Sequence, residues 1–168
     1  MADVAVIMGS KSDLASLEGT FKTLEAFGIS REVRVMSAHR TPEAAADFAR
    51  SAETRGVKVI LCAAGMAAHL AGVMAAHTIL PVIGIPMASA PFNGLDALLA
   101  TVQMPPGIPV ATVGVNGALN AAILAAEMLA LGDAQMAAKV ADYKENLKNK
   151  ITKANAELKE VQYKFKTN

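Results

Sequence analysis

Apolar positions along the chain fall into short continuous runs, separated by longer stretches where they recur every three or four residues. The runs Val4–Met8, Glu32–Met36, Val57–Ala63, Leu80–Ile85 and Pro109–Val115 have strand length, and only "REVRV" alternates with polar residues. Continuous apolar strands belong to parallel sheets covered on both faces. Between them the spacing predicts helices with recognisable ends. The first spans about Ser12 to Phe27 and stops at Gly28, a residue type that ends helices readily. The second opens at "TPE", where Thr41 suits the cap, Pro42 the first turn and Glu43 the positive end of the helix dipole. Others cover Met66–His77, Leu95–Gln103 and Ala118–Leu131, the last ending before Gly132. This alternation predicts an α/β domain over residues 1–133, a three-layer doubly wound parallel sheet.

The segment from Ala134 to about Phe165 reads differently, being rich in Lys, Glu and Asn. Its apolar residues Leu147, Ile151, Ala154, Leu158, Val161 and Phe165 step by four and three, a heptad-like seam along one face. At about 1.5 Å per residue such a helix is nearly 50 Å long, more than one small domain covers. Residues 134–168 are therefore expected to form a long C-terminal helix that packs on a neighbouring subunit.

Composition narrows the class. A chain of 168 residues is most simply one domain with a substantial core. The net charge of +1 gives no reason to expect nucleic acid as a partner. The hydrophobic fraction, 53%, is high and much of it is alanine. A membrane protein is excluded as the explanation, because Gly, Pro, His or charged residues break each apolar run well short of the roughly 20 residues that span a bilayer. No basic segment followed by an apolar one marks a signal peptide. The lone Cys62 sits in the apolar run "VKVILCAA", as expected for a buried thiol in a reducing compartment. A cytoplasmic oligomer with large buried faces fits these facts.

Five strands of this kind most often take the flavodoxin-like order 2-1-3-4-5, with ligands bound at their carboxyl ends beside the switch point. Three loops then converge: "GSKSD" after the first strand, "SAHRTP" after the second and "AAGMAAHL" after the third. Gly9 suits a sharp exit and close ligand approach, while Ser10, Ser12 and Asp13 offer hydroxyls, a carboxylate and helix-start amides. Taken singly, Ser12 or Asp13 caps a helix, and His39 and Arg40 are solvated loop residues. Together they supply an anion clamp from Arg40 and amides, acceptors for sugar hydroxyls, and an imidazole, the side chain suited to proton transfer near neutrality. His69 either faces this pocket or packs in the core, and His77 complements a helix end. The histidines have no metal-ligand spacing with Cys62, so no metal is expected.

The segments "MGSKSD", "SAHRTP", "AAHLAGVMAAHTILPVIGIP" and "NGLDALLATVQMPPGIPVATV" resemble the 5-(carboxyamino)imidazole ribonucleotide mutase family, also described as the catalytic subunit of phosphoribosylaminoimidazole carboxylase. The likeness runs from Val4 to about Leu131. It implies a flavodoxin-like fold assembled as a homo-octamer and working without metal or organic cofactor. It also implies an isomerase of purine (IMP) biosynthesis acting on a small-molecule ribonucleotide. By the same resemblance Ser10, Asp13 and Arg40 hold the ribose phosphate and His39 is the catalytic acid/base. Ser12, Ser37 and His69 line the rest of the pocket. Three positions depart from the family's habit: Met66 for a Gly, Ala71 for a Pro, and Ala97 for a Ser after Asp96. The alternative within the family is a carboxylase that uses carbon dioxide directly on aminoimidazole ribonucleotide. Outside it stands a flavin-binding or signalling module, for which 4% aromatic content and a single acid, Asp13, after the first strand offer little.

Overall fold

A computed structural model describes residues 1–161. Strands β1 (Val4–Met8), β2 (Arg31–Val35), β3 (Val59–Gly65), β4 (Val82–Met87) and β5 (Ala111–Thr112) form one parallel sheet in the order β2-β1-β3-β4-β5. The expected doubly wound architecture and strand order are those observed.

Side chains that alternate along the central strands fill two separate cores. Val4, Val6 and Met8 of β1 point into one, with Leu61, Ile83 and Leu24, beneath α1 (Glu18–Phe27) and α5 (Ala118–Ala130). Ala5 and Ile7 point into the other, with Ile60 and Cys62, beneath α2 (Pro42–Ala52) and α3 (Leu70–Ala76). Part of the alanine excess is used here, because Ala118, Ala121, Ala122, Ala125 and Ala126 are all buried and let α5 approach the sheet closely. The buried Thr20 hydroxyl donates to the carbonyl of Ala118 at 2.7 Å, so α1 and α5 are joined without an unsatisfied polar group. Desolvation pushes the Cys62 thiol far above its ordinary range, as burial does to a group whose charged form it excludes.

Where the elements differ from expectation, local chemistry explains it. The first helix does not begin at Ser12. Two short 3-10 turns, Lys11–Asp13 and Ala15–Leu17, come first, because the Ser10 hydroxyl accepts from the Ser12 amide and so competes with the helical pattern. α3 starts at Leu70 rather than Met66, since Met66 has φ 58° and cannot continue a right-handed helix. That is the position where the resembling family has glycine, the residue at ease there. β5 shrinks to two residues; Pro109, two places before its first residue, has no N–H to give a ladder on that side. At "TPE", Pro42 and Glu43 hold the first turn of α2 as expected, but the Thr41 hydroxyl does not cap it; it donates to the carbonyl of Ser37 at 3.0 Å. Gly28 ends α1 in the left-handed conformation, φ 73°.

The last helix, α6, runs Ala134–Leu158, and Asp133 caps it by accepting from the amides of Gln135 and Met136. Its 25 residues extend about 38 Å. Met136 and Val140 are buried, Tyr143 packs on Phe27 with ring centroids 5.6 Å apart, and Lys144 pairs with Glu127 of α5 at 2.6 Å. Beyond that point the helix leaves the domain, and Leu147, Ile151 and Leu158 are exposed. Phe165, the last position of the seam, lies outside the described residues. Among the described residues no helix is long and apolar enough to cross a membrane.

Among the glycines of the sheet, the one most tightly covered is Gly84 of β4, under α4 (Leu95–Val102). A β-carbon there would collide with Cγ2 of Thr101 and lie 3.3 Å from that of Ala71. Gly84→Ala is expected to destabilise by about 1–3 kcal/mol through overpacking. A thermal melt with Tm equal to that of the parent would refute this.

Candidate functional site

β1 lies between β2 and β3, so the loops that leave their carboxyl ends face one another across a cleft of about 650 Å³. Ser10, Ser12, Asp13, Ser37, His39, Arg40 and His69 all line it. His77, in contrast, ends α3 away from the cleft, beside Arg50.

The first loop is organised by its own hydroxyls. Ser10, in extended backbone, accepts from the Ser12 amide at 3.3 Å and from the Ser12 hydroxyl at 2.8 Å. The capping residue is therefore Ser10, and Ser12 and Asp13 keep side chains available to the cleft. Gly9 does not adopt a left-handed conformation, and a β-carbon on it would meet only ordinary contacts at 3.8 Å. Its contribution is a carbonyl, which accepts from Nη2 of Arg40 at 3.0 Å.

That bond fixes the second loop. The Arg40 amide donates to the Ser37 hydroxyl at 3.2 Å, and its Nε lies 3.4 Å from the same oxygen. The guanidinium thus stands at the mouth of β1 with further N–H groups free for an anion, the geometry in which arginine holds phosphate or carboxylate.

Nε2 of His39 lies 3.0 Å from Nδ1 of His69, the residue that begins α3, and the rings meet edge to face at 84°. His69 therefore faces the pocket. A hydrogen bond at this distance requires one of the two facing nitrogens to donate and the other to accept.

Asp13 carries the reverse of a stabilising arrangement. Partial burial raises its carboxyl above the ordinary carboxylate value of 3.8, and a hydrogen bond from the backbone of Ser10 offsets this only in part. Among the described residues no group of three His, Cys, Asp or Glu side chains is placed to hold a metal ion.

The cleft also extends to the end of β4, taking in Met87, Ala88 and Ser89. Ser89 was not among the residues expected from sequence. Its signal was slight: a hydroxyl two places beyond a wholly apolar strand, next to β3 in the sheet.

A parallel sheet of this order with its cleft at the carboxyl edge defines a flavodoxin-like α/β protein. The AIR carboxylase family model matches residues 3–150. Among relatives, the N5-carboxyaminoimidazole ribonucleotide mutase of Pyrococcus abyssi is 53% identical over 88% of this chain and 85% of that protein. The mutase of the same name from Thermotoga maritima is 47% identical over 98% of this chain and 96% of that protein. Among solved structures, Treponema denticola PurE superposes with a TM-score of 0.85 at 32% identity, covering 93% of this chain and 98% of that one. The chain belongs to the AIR carboxylase family.

Because the raised Asp13 carboxyl binds a proton more tightly folded than unfolded, stability falls as pH rises through the interval above 3.8. Asp13→Asn is expected to melt at a higher temperature than the parent at pH 7, with the difference vanishing below the ordinary carboxylate range. Equal melting temperatures at pH 7 would contradict the burial argument.

Proposed function

We propose that this chain is an isomerase of purine biosynthesis that converts 5-(carboxyamino)imidazole ribonucleotide to 5-amino-4-carboxyimidazole ribonucleotide. The observation that carries the reading is the single cleft in which the His39 imidazole, the Arg40 guanidinium and the hydroxyls of Ser10 and Ser12 meet. Family membership and the mutase names of the relatives support it.

In this reading Arg40 binds the ribonucleotide phosphate, assisted by Ser10, and Asp13 accepts from the ribose hydroxyls. Ser12 and Ser37 line the remaining wall. The N–COO⁻ bond of the carbamate breaks, releasing carbon dioxide, and His39 gives its proton to the exocyclic nitrogen. Ring carbon C4 then attacks the retained carbon dioxide, and neutral His39 takes the C4 proton. The two transfers balance, so the enzyme returns to its starting protonation without a cofactor. His69, in contact with His39, orients that imidazole. The apolar lining from Ala64 to Ala67 suits carbon dioxide and disfavours water.

The test follows carboxyl transfer by the purified protein with no added ATP, metal or bicarbonate. The mutase reading requires turnover under those conditions; activity only on aminoimidazole ribonucleotide with bicarbonate would favour the carboxylase alternative. His39→Asn is expected to lower kcat at least a hundredfold while the substrate still binds. Substantial residual turnover in that variant would remove His39 from the mechanism.

The reading includes a cytoplasmic homo-oligomer, an octamer by the family resemblance. His39, Arg40 and His69 are exposed in the single chain, whereas retaining carbon dioxide requires water to be kept out. The unpartnered half of α6, with Leu147 and Ile151 on its surface, is the segment assigned to a neighbouring subunit. Replacing both by Lys is expected to reduce the sedimentation coefficient; an unchanged value would place the interface elsewhere.

A further inference from the structure

Ser89 stands out among the cleft residues because its hydroxyl oxygen is inaccessible to water and has no hydrogen-bond partner among the described residues. A buried hydroxyl left unmade costs about 1–3 kcal/mol, so such a group calls for a partner that arrives later. Its position is well defined. A β-carbon on Gly65 would lie 3.4 Å from the Ser89 oxygen and 3.2 Å from the Met87 carbonyl, so the glycine at the end of β3 lets the β4 loop close down on the cleft floor. The start of that loop is clamped: the Ala88 amide donates to Oδ1 of Asn116 at 2.9 Å, and the Asn116 amide donates to the Pro86 carbonyl at 2.8 Å. The backbone that carries the orphan hydroxyl is therefore held in place, while the side chain itself has no bond to fix its rotamer.

The sheet also sets its distance from the anion clamp. Arg40 engages the mouth of β1, and β4 lies two strands further along. At about 4.8 Å per strand that separation is about 10 Å, comparable with the reach of a ribonucleotide from phosphate to the far side of its base. A substrate whose phosphate sits at Arg40 therefore presents its base to the floor where Ser89 lies.

We propose that Ser89 is a specificity-determining residue whose hydroxyl, by rotation about its side-chain bond, donates a hydrogen bond to the carboxylate carried by the base. The proposal rests on the mutase reading and deepens it. A neutral donor fits the chemistry better than a cation. A salt bridge would stabilise the bound carboxylate and thereby raise the barrier to its loss as carbon dioxide, whereas one hydroxyl orients the group at modest ground-state gain.

The experiment compares parent and Ser89→Ala protein in calorimetric titrations with carboxylated 5-amino-4-carboxyimidazole ribonucleotide and with uncarboxylated aminoimidazole ribonucleotide. The expected result is about tenfold weaker binding of the carboxylated nucleotide only, with Tm unchanged or slightly raised. Equal affinities for parent and variant, or equal loss for both nucleotides, would overturn the proposal. So would a substantial fall in Tm, because the hydroxyl would then be satisfied in the free protein. Failure of the parent to bind either nucleotide would overturn the mutase reading itself, and this assignment with it.

Discussion

The site depends on one constraint of pairing: β1 is hydrogen-bonded on both sides, so Met8 at its end stands between Val35 and Ala63. Register is continued one residue beyond the strands, where the Gly9 amide donates to the Ala63 carbonyl and the Met36 amide to the Met8 carbonyl. The first and second loops therefore leave the sheet at the same level, while β3 runs two residues further, to Gly65, and forms the cleft's floor beside them. The bond from Arg40 to the Gly9 carbonyl, across 31 positions of sequence, works only because of that alignment. Slipping β2 by one residue against β1 would turn the side chains of β2 to the opposite face, shift the second loop out of line with Gly9 and break the clamp.

The two edges of the sheet are treated differently. At the amino edge a second hollow of about 520 Å³ is lined by charges that are already matched. Asp3 there is held below its usual range chiefly by the Ser30 hydroxyl, with Lys58 paired to it at 2.9 Å, and Lys139 donates to the Phe27 carbonyl at 2.7 Å. At the carboxyl edge stand a desolvated carboxyl at Asp13, a methionine in left-handed backbone at Met66 and an orphan hydroxyl at Ser89. Each is locally unfavourable, and together they mark the edge where a ligand completes the structure.

The fold was legible because its signals are redundant. Continuous apolar runs marked β1 to the residue and β3 and β4 two residues early at both ends, and Gly28 and "PE" marked helix ends that the backbone uses. Boundaries failed where short-range side-chain bonds or a single dihedral override periodicity, as at Ser10 and Met66. Alanine-rich "AAGMAAHL" has helical composition throughout, so composition alone did not place the first turn of α3 at Leu70. The candidate residues of the first three loops came together because strand order makes those loops neighbours. Ser89 escaped notice because a lone serine in a loop has many ordinary roles, and its lack of a partner is a property of three-dimensional packing.

Cys62 carries a consequence of a different kind. The chain has one sulfhydryl, and it sits on the interior side of β3, 1% exposed and with its thiolate form strongly disfavoured. Alkylating agents, peroxides and soft metal ions attack cysteine through its thiolate, so this thiol offers them no foothold in the native protein. In the folded chain this thiol is indifferent to its redox surroundings, and any thiol reactivity it displays reports that the sheet has opened.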